Sequence, residues 1–139
     1  MAMPEPIQGP NGENAQLLDE WLATHRGKGT MCFTHALEVF FPVSEPNAGE
    51  EFERILRAMT YHLGGATVYT AEGTWCADAA CTRVDREPVK VISSAHNCTS
   101  EAARDAIVQA IREAATRTRQ QAVAIKGTGR FWIIPTEEL

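Results

Sequence analysis

The chain has 139 residues, of which 44% are hydrophobic and 22% are charged, and its formal net charge is −5. This composition is typical of one globular domain, and the acidic balance argues against a general nucleic-acid binder, which usually carries a strongly basic face. No apolar run reaches the roughly 18 residues of a membrane span. The N-terminus has no apolar signal core, so we expect a cytoplasmic protein whose four cysteines are reduced thiols.

The N-terminal residues divide into an arm and a helix. Residues 1–13 are polar and rich in Pro and Gly, which predicts a disordered arm. Residues 14–29 predict a helix and linker, with Asn14 as the N-cap and Gly27 to Gly29 as the stop. The helix carries an apolar stripe that must pack on the domain or on a neighbouring subunit. The stripe consists of Leu17, Leu18, Trp21 and Leu22.

Residues 30–139 alternate between strand and helix patterns and form the predicted main domain. Strands are predicted at residues 30–41, 66–75 and 89–95, then at 122–125 and 131–134, and helices at residues 48–63 and 99–118. The last two strand segments are either a hairpin or one long strand broken by a bulge. The order predicts an α+β fold, a ferredoxin-like βαββαβ sandwich with an extra N-terminal helix. Because both helices cover one sheet face, the other face favours self-association.

The segment from Lys126 to Arg130 is the strongest candidate for ligand binding. Glycines let the backbone approach a ligand and direct amide groups at an anion, and an arginine can grip a phosphate with two hydrogen bonds. The competing interpretation is a tight turn with two exposed basic side chains. The candidate residues are Lys126, Gly127, Thr128, Gly129 and Arg130.

A polar loop is predicted from Cys76 to Arg86, between the two central strands. Unremarkable thiols are the favoured interpretation of its two cysteines, with a disulfide between Cys76 and Cys81 as an alternative. A zinc site that adds His96 and Cys98 is a weaker alternative, because the spacing lacks paired C-x-x-C motifs.

The histidines suggest acid/base chemistry only weakly. His35 falls within the apolar pattern of the first strand, where a core or interface role is more common. His96 closes a strand and is the more site-like of the two. A small enzyme would need a pocket that brings one of them to a carboxylate such as Glu38.

Two stretches of the C-terminal half resemble the PII and CutA group of small ferredoxin-like proteins. Residues 127–138, Gly-Thr-Gly-Arg-Phe-Trp-Ile-Ile-Pro-Thr-Glu-Glu, are similar to the group's glycine-rich basic loop, last strand and acidic tail. Residues 89–92 and the helix ending at Thr118 are similar to its third strand and second helix. Gly73-Thr74-Trp75 and Arg86-Glu87 also resemble small uncharacterised ferredoxin-like bacterial proteins, a likeness that implies a fold alone.

The PII resemblance implies a small-ligand sensor that is not an enzyme. It implies a homo-trimer, or a dimer, that binds an adenine nucleotide or another anion in clefts between subunits, with no required cofactor and no metal. The segment from Lys126 to Arg130 would hold phosphates, and the 74–86 loop would be mobile and meet a partner protein. Candidate helper residues from the neighbouring loop and strand are Arg83, Arg86 and Lys90. The alternatives are a non-catalytic structural or partner-binding oligomer and, less favoured, a small dimeric enzyme.

Overall fold

The computed structural model describes residues 11–24 and 31–139, with side chains from residue 17 in the first range. The chain divides into two units, Met1–Cys32 and Phe33–Leu139. The first ten residues of the predicted arm and the predicted stop at Gly27 to Gly29 lie outside the described residues. Both stay predictions.

The first unit contains helix α1 (Asn11–Ala23), which starts before the predicted cap at Asn14. The helix ends where the Thr24 amide donates to the carbonyls of Glu20 and Trp21. The side chains of the predicted stripe are exposed, and what they pack against stays a prediction. Among the described helices, none combines the length and the apolar character that crossing a bilayer requires.

The second unit is a five-stranded antiparallel sheet with two helices. Its elements are β1 (His35–Pro42), α2 (Ala48–Leu63), β2 (Thr67–Cys76), β3 (Val84–His96), α3 (Glu101–Arg117), β4 (Ala122–Gly127) and β5 (Arg130–Pro135). The strand order is β2-β3-β1-β4-β5. The first four strands have the ferredoxin-like arrangement, and β5 adds an edge strand that pairs with β4. The α+β ferredoxin-like prediction is confirmed, and the open question at residues 122–134 is answered by a hairpin.

Local signals explain the bounds of the two long helices. Helix α2 has the predicted limits, and Gly64 ends it in the left-handed conformation, with φ of 92°. Ser100 caps α3 by accepting a hydrogen bond from the Ala103 amide. Asn47 precedes α2 without a capping bond from its side chain, and its side-chain amide donates to the Arg117 carbonyl at 2.9 Å. Asn47 therefore ties the start of α2 to the end of α3.

The core lies between the helices and one face of the sheet. Strand residues Val39, Phe41, Ile92 and Val123 are buried there. Directly paired residues lie on the same face, and Val39 pairs with Ile92 of β3 and Ile125 of β4. Because side chains alternate along a strand, Phe41 and Val123, each two residues from a member of this set, lie on that face too. The helices contribute Phe52, Ile55, Met59, Ile107 and Ile111.

The opposite side of the sheet, which we call the open face, carries no helix among the described residues of the second unit. Phe40 lies at its centre and packs on Phe131 with ring centroids 5.4 Å apart. Four large side chains of this face are between 43% and 70% exposed, namely Tyr69, Trp75, Phe131 and Ile133. An exposed apolar surface of this kind is typical of an interaction site.

The predicted long loop is shorter than expected, because only residues 77–83 lie outside the strands. β2 and β3 stay paired as far as Cys76 and Val84, so Thr74 and Arg86 face each other within the ladder. A disulfide joins Cys76 to Cys81, which corrects the interpretation of these two cysteines as thiols. The first strand was predicted from Thr30, but β1 begins at His35, because the residues just before it are anchored by side-chain bonds instead of a strand ladder.

Candidate functional site

The predicted ligand residues lie at two opposite ends of the sheet. Gly127 pairs with Leu37 of β1, which in turn pairs with Ser94 near the end of β3. Arg86 lies on β3 about 26 Å from Ser94, at roughly 3.3 Å per residue. One chain therefore does not bring Arg83 or Arg86 to the segment from Lys126 to Arg130.

The β4–β5 turn is a tight two-residue connection. Thr128 and Gly129 have φ of 49° and 75°, the pattern of a type I′ turn that suits the twist of a hairpin. A left-handed φ is unusual for a β-branched residue such as Thr128, and Asn is much the commoner choice at that position. The turn confirms the tight-turn interpretation, and it also places a strained residue among the predicted ligand residues.

A hollow of about 500 Å³ lies on the open face beside this turn. We call it the sheet-face hollow. Its floor is strand, since Ala36 pairs with Ala95 and Glu38 lies directly opposite Lys126. The hollow is lined by Phe33, Thr34, His35, Ala36, Glu38, Ala95, Lys126, Thr128 and Gly129. Three of the predicted ligand residues thus line one concave surface.

The segment before β1 forms one wall of the hollow and is anchored to the end of β3. The Thr34 amide and hydroxyl both donate to the Asn97 side-chain oxygen, at 2.8 and 2.9 Å. The Thr34 hydroxyl also lies 2.9 Å from Nδ1 of His35. These contacts hold the rim in place and give it hydroxyl, imidazole and amide groups.

Glu38 supplies the hollow with a carboxylate next to a tyrosine. The Tyr69 hydroxyl donates to Oε1 of Glu38 at 3.3 Å. Burial, followed by the charge of Glu38, raises the pKa of Tyr69. The hollow therefore presents both an anion and a cation, Glu38 and Lys126, on neighbouring strands.

The other predicted ligand residues lie elsewhere. Lys90 is on the helix-covered side of the sheet, with Nζ 5.1 Å from the centroid of the Phe52 ring. Arg86 pairs with Glu72 at 3.3 Å and Arg83 with Asp85 at 3.5 Å, all on the β2–β3 hairpin. Arg130 is exposed opposite Gly127, outside the lining of the hollow.

His35 and His96 pair across β1 and β3. Neither is enclosed in apolar contacts: His35 is exposed and His96 half-buried. The amide of Cys98 donates to Nδ1 of His96 at 3.1 Å. Burial and the nearby His35 lower the pKa of His96, so its ring is neutral near pH 7 and carries its proton on Nε2.

Four lining residues were not predicted as site residues from the sequence, namely Phe33, Thr34, Ala36 and Ala95. Because side chains alternate along a strand, Glu38 lies on the face away from buried Val39, and the pairing of β4 with β1 puts Lys126 beside it. Nothing in the sequence indicated the bonds from Thr34 to Asn97, which join residues 63 positions apart.

A metal centre built from the cysteines is not compatible with the fold. Cys76 and Cys81 are bonded to each other at the tip of the β2–β3 hairpin, whereas His96 and Cys98 lie at the far end of β3. Within residues 11–24 and 31–139, no cluster of three or more His, Cys, Asp or Glu side chains has metal-site geometry.

Comparisons with known proteins show a fold and no family. Neither a scan of protein-family models nor a search of curated proteins gives a match. A phage SAM lyase in complex with S-methyl-5'-thioadenosine is 13% identical with a TM-score of 0.52, over 76% of this chain and 92% of that chain. Its apo structure is 15% identical with a TM-score of 0.51, over 74% and 90%. CutA from Pyrococcus horikoshii is 13% identical over 76% of this chain and 87% of that chain, with a TM-score of 0.43.

These similarities correct one expectation. The chain was expected not to be an enzyme, but the phage SAM lyase, which is an enzyme, shares its fold. The expectation that the resemblance excludes an enzyme is therefore wrong, because an enzyme has the same fold. At 13–15% identity the likeness shows the fold alone and assigns no reaction to this chain.

Proposed function

We propose that this protein binds a small adenosine-containing ligand in the sheet-face hollow. The observation that carries the proposal is the convergence of Lys126, Thr128 and Gly129 with Phe33 and His35 on one concave surface. The hollow has a volume in the range of small-molecule sites, about 300–1,000 Å³. An adenine ring would stack on Phe33, and an anionic or polar tail would meet Lys126 and the turn amides.

The strain at Thr128 supports the same assignment. A left-handed β-branched residue costs on the order of 1 kcal/mol or more, and such residues cluster at functional sites. Asn in place of Thr128 would fit the turn better. We infer that Thr128 is retained for its side chain, which faces a ligand and not the protein core.

A second copy of the chain would complete the site. The hollow lies at one end of the open face, whose exposed apolar side chains favour self-association. A homo-trimer, as the PII resemblance implies, would cover this face and convert the hollow into a cleft between subunits. In such an assembly the β2–β3 hairpin of a neighbour could bring Arg83 and Arg86 to the ligand, and its tip, residues 77–83, could meet a partner protein.

Isothermal titration calorimetry tests ligand binding directly. The ligands are ATP, ADP, AMP, cyclic AMP, SAM and S-methyl-5'-thioadenosine. Lys126→Ala should weaken binding of an anionic ligand about tenfold, as expected for one charge-assisted hydrogen bond. Arg57→Ala, on the exposed outer side of α2, is the matched control and should bind like the parent chain.

Acid/base chemistry on SAM is a second candidate function. The observation that favours it is that His35 and Glu38 both line the hollow, His35 at its rim and Glu38 on its strand floor. Glu38 would also attract the sulfonium cation. Incubation with SAM, followed by chromatography for S-methyl-5'-thioadenosine, tests it. Loss of product formation in both His35→Gln and Glu38→Gln would support it, and an unchanged SAM pool would contradict it.

A further inference from the structure

A second cavity, which we call the helix-side cavity, lies on the other side of the sheet. It encloses about 440 Å³ between the end of α2, the first turns of α3 and the ends of β1 and β3. It shares no lining residue with the sheet-face hollow. The two sites are therefore separate, and ligand binding in the helix-side cavity does not depend on the proposed function.

The floor of the helix-side cavity is apolar. Side chains from two helices and two strands form it, and they belong to the core or pack against it. They are Leu37, Leu63, Ile107, Ile111 and Ile125. When an apolar group covers apolar surface that is accessible at the edge of a core, the free energy of the system falls.

The rim of the same cavity carries two opposite charges. Glu101 and Arg104 are three positions apart on α3, which places them on one side of the helix. The Arg104 guanidinium pairs with Asp105 at 3.0 Å, but both side chains are more than 60% exposed. Such a surface pair contributes little, so Arg104 can turn to a ligand at small cost.

The remaining rim groups are neutral and polar. His96 contributes a neutral imidazole whose Nδ1 already accepts the Cys98 amide at 3.1 Å. Its other nitrogen, Nε2, can therefore donate but not accept. Ser100 is engaged as the cap of α3.

We propose that the helix-side cavity binds a zwitterionic amino acid with a large apolar side chain, such as leucine or phenylalanine. The ligand carboxylate would pair with Arg104 and its ammonium with Glu101, while its side chain covers the apolar floor. One positive and one negative group above an apolar floor match this ligand class, whereas a fatty acid or an amine would leave one rim charge without a counterpart. The cavity volume is within the range of small-molecule sites.

Calorimetry with L-leucine and L-phenylalanine on the full chain tests the proposal. Both should bind saturably, and L-alanine should bind more weakly by a factor on the order of tens, because each buried methylene is worth about fourfold in affinity. N-acetyl-leucinamide has the same side chain but no charges, so it should bind at least about tenfold more weakly than leucine.

Variants of the rim complete the test. Arg104→Gln and Glu101→Gln should each weaken leucine binding about tenfold. Their matched controls are Arg57→Gln and Glu53→Gln, two exposed residues of α2 outside the cavity, which should leave the affinity unchanged. Lys126→Ala, in the other site, should also leave it unchanged. The proposal is overturned if neither amino acid binds, if the neutral derivative binds as tightly as leucine, or if both rim variants bind like the parent chain.

Discussion

His35 and His96 stack against each other across β1 and β3, with ring centroids 5.6 Å apart and an angle of 27° between their planes. His35 lines the sheet-face hollow and His96 lines the helix-side cavity. Because directly paired residues put their side chains on the same face of a sheet, the two rings lie together at the ends of β1 and β3. The charge of His35 contributes to the lowered pKa of His96.

The pKa of His96 gives a prediction for stability against pH. Burial, then the charge of His35, lowers the pKa of His96 in the folded chain. In the unfolded chain His96 keeps the ordinary histidine pKa of about 6.5. Below about pH 6.5 the unfolded chain therefore binds more protons at His96 than the folded chain does. The His96 contribution to stability is therefore complete above about pH 6.5 and is lost as the pH falls toward the lowered folded value. The other titratable or charged groups lining the cavity are Cys98, Glu101 and Arg104.

Urea unfolding midpoints measured from about pH 5 to 8 check this prediction. His96→Gln should flatten the acid side of the profile, and His35→Gln should flatten it in part, because it removes the neighbouring charge. His62→Gln, on α2, is the control. An acid limb that His96→Gln leaves unaltered would show that the stacked pair does not matter to stability.

A buried carboxylate joins the two helices. Glu51 is 4% exposed and pairs with Arg54 at 3.3 Å and with Arg117 of α3 at 3.4 Å. Glu51→Ala would remove the ion pair that links α2 to α3 and this partner of Arg54, while Arg117 keeps Glu113 at 3.8 Å, so we expect a loss of about 2–3 kcal/mol in the free energy of unfolding. The exposed neighbour Glu53→Ala should change it by less than about 0.5 kcal/mol. Equal unfolding midpoints for the two variants would contradict the role given to Glu51.

The disulfide between Cys76 and Cys81 closes a short loop at the tip of the β2–β3 hairpin. The Asp78 carboxylate accepts hydrogen bonds from the Thr82 and Arg83 amides and so holds the loop in place. The hydrogen bonds from Thr82 lower the pKa of Asp78. Chain entropy gives such a short loop about 2 kcal/mol of stabilisation. We expect reduction, or Cys76→Ser, to speed amide hydrogen exchange at residues 77–83 and not in β4 or β5.

Cys32→Ser, outside the disulfide, is the control and should leave hydrogen exchange at the hairpin tip unchanged.

Alkylation of the cysteines in intact cells tests the compartment of the protein, since disulfides persist in oxidising environments. Quantitative alkylation of both hairpin cysteines in intact cells would favour a reducing compartment. Protection of both would favour an oxidising compartment.

The open face makes a prediction about assembly. Ile133 is 70% exposed on this face, so Ile133→Asp should shift the protein toward monomers if copies associate there. Tyr61→Asp is the matched control, since Tyr61 is 83% exposed on α2. Native mass spectrometry reports the subunit count. A parent chain that is monomeric at high concentration would rule out the subunit cleft proposed for the ligand.

The sequence was sufficient for the helix–sheet layering but not for the site. The stripe of α2, with Phe52, Ile55 and Met59, and the stop at Gly64 predict that helix to the residue, because amphipathic periodicity and a glycine stop are local signals. The predicted loop was too long, since β3 starts at Val84 and not at Val89, and its polar first residues are held in the strand by pairing with β2 and not by burial. The sheet-face hollow depends on the register of β4 against β1 and on the bond from Thr34 to Asn97, which are both long-range.

Our central claim is that Thr128 is kept in a strained turn because it faces a ligand. Thr128→Asn relieves the left-handed strain, so it should raise the free energy of unfolding by about 1 kcal/mol. The same variant should weaken adenosine-ligand binding, because it replaces the side chain that lines the hollow.

Paired calorimetry and urea unfolding on the parent chain and on Thr128→Asn make the most direct test. We expect saturable binding of at least one of the adenosine ligands by the parent chain, and a variant that is more stable but binds more weakly. No heat from any nucleotide, SAM or S-methyl-5'-thioadenosine, or a variant that binds as tightly as the parent chain, would contradict the claim.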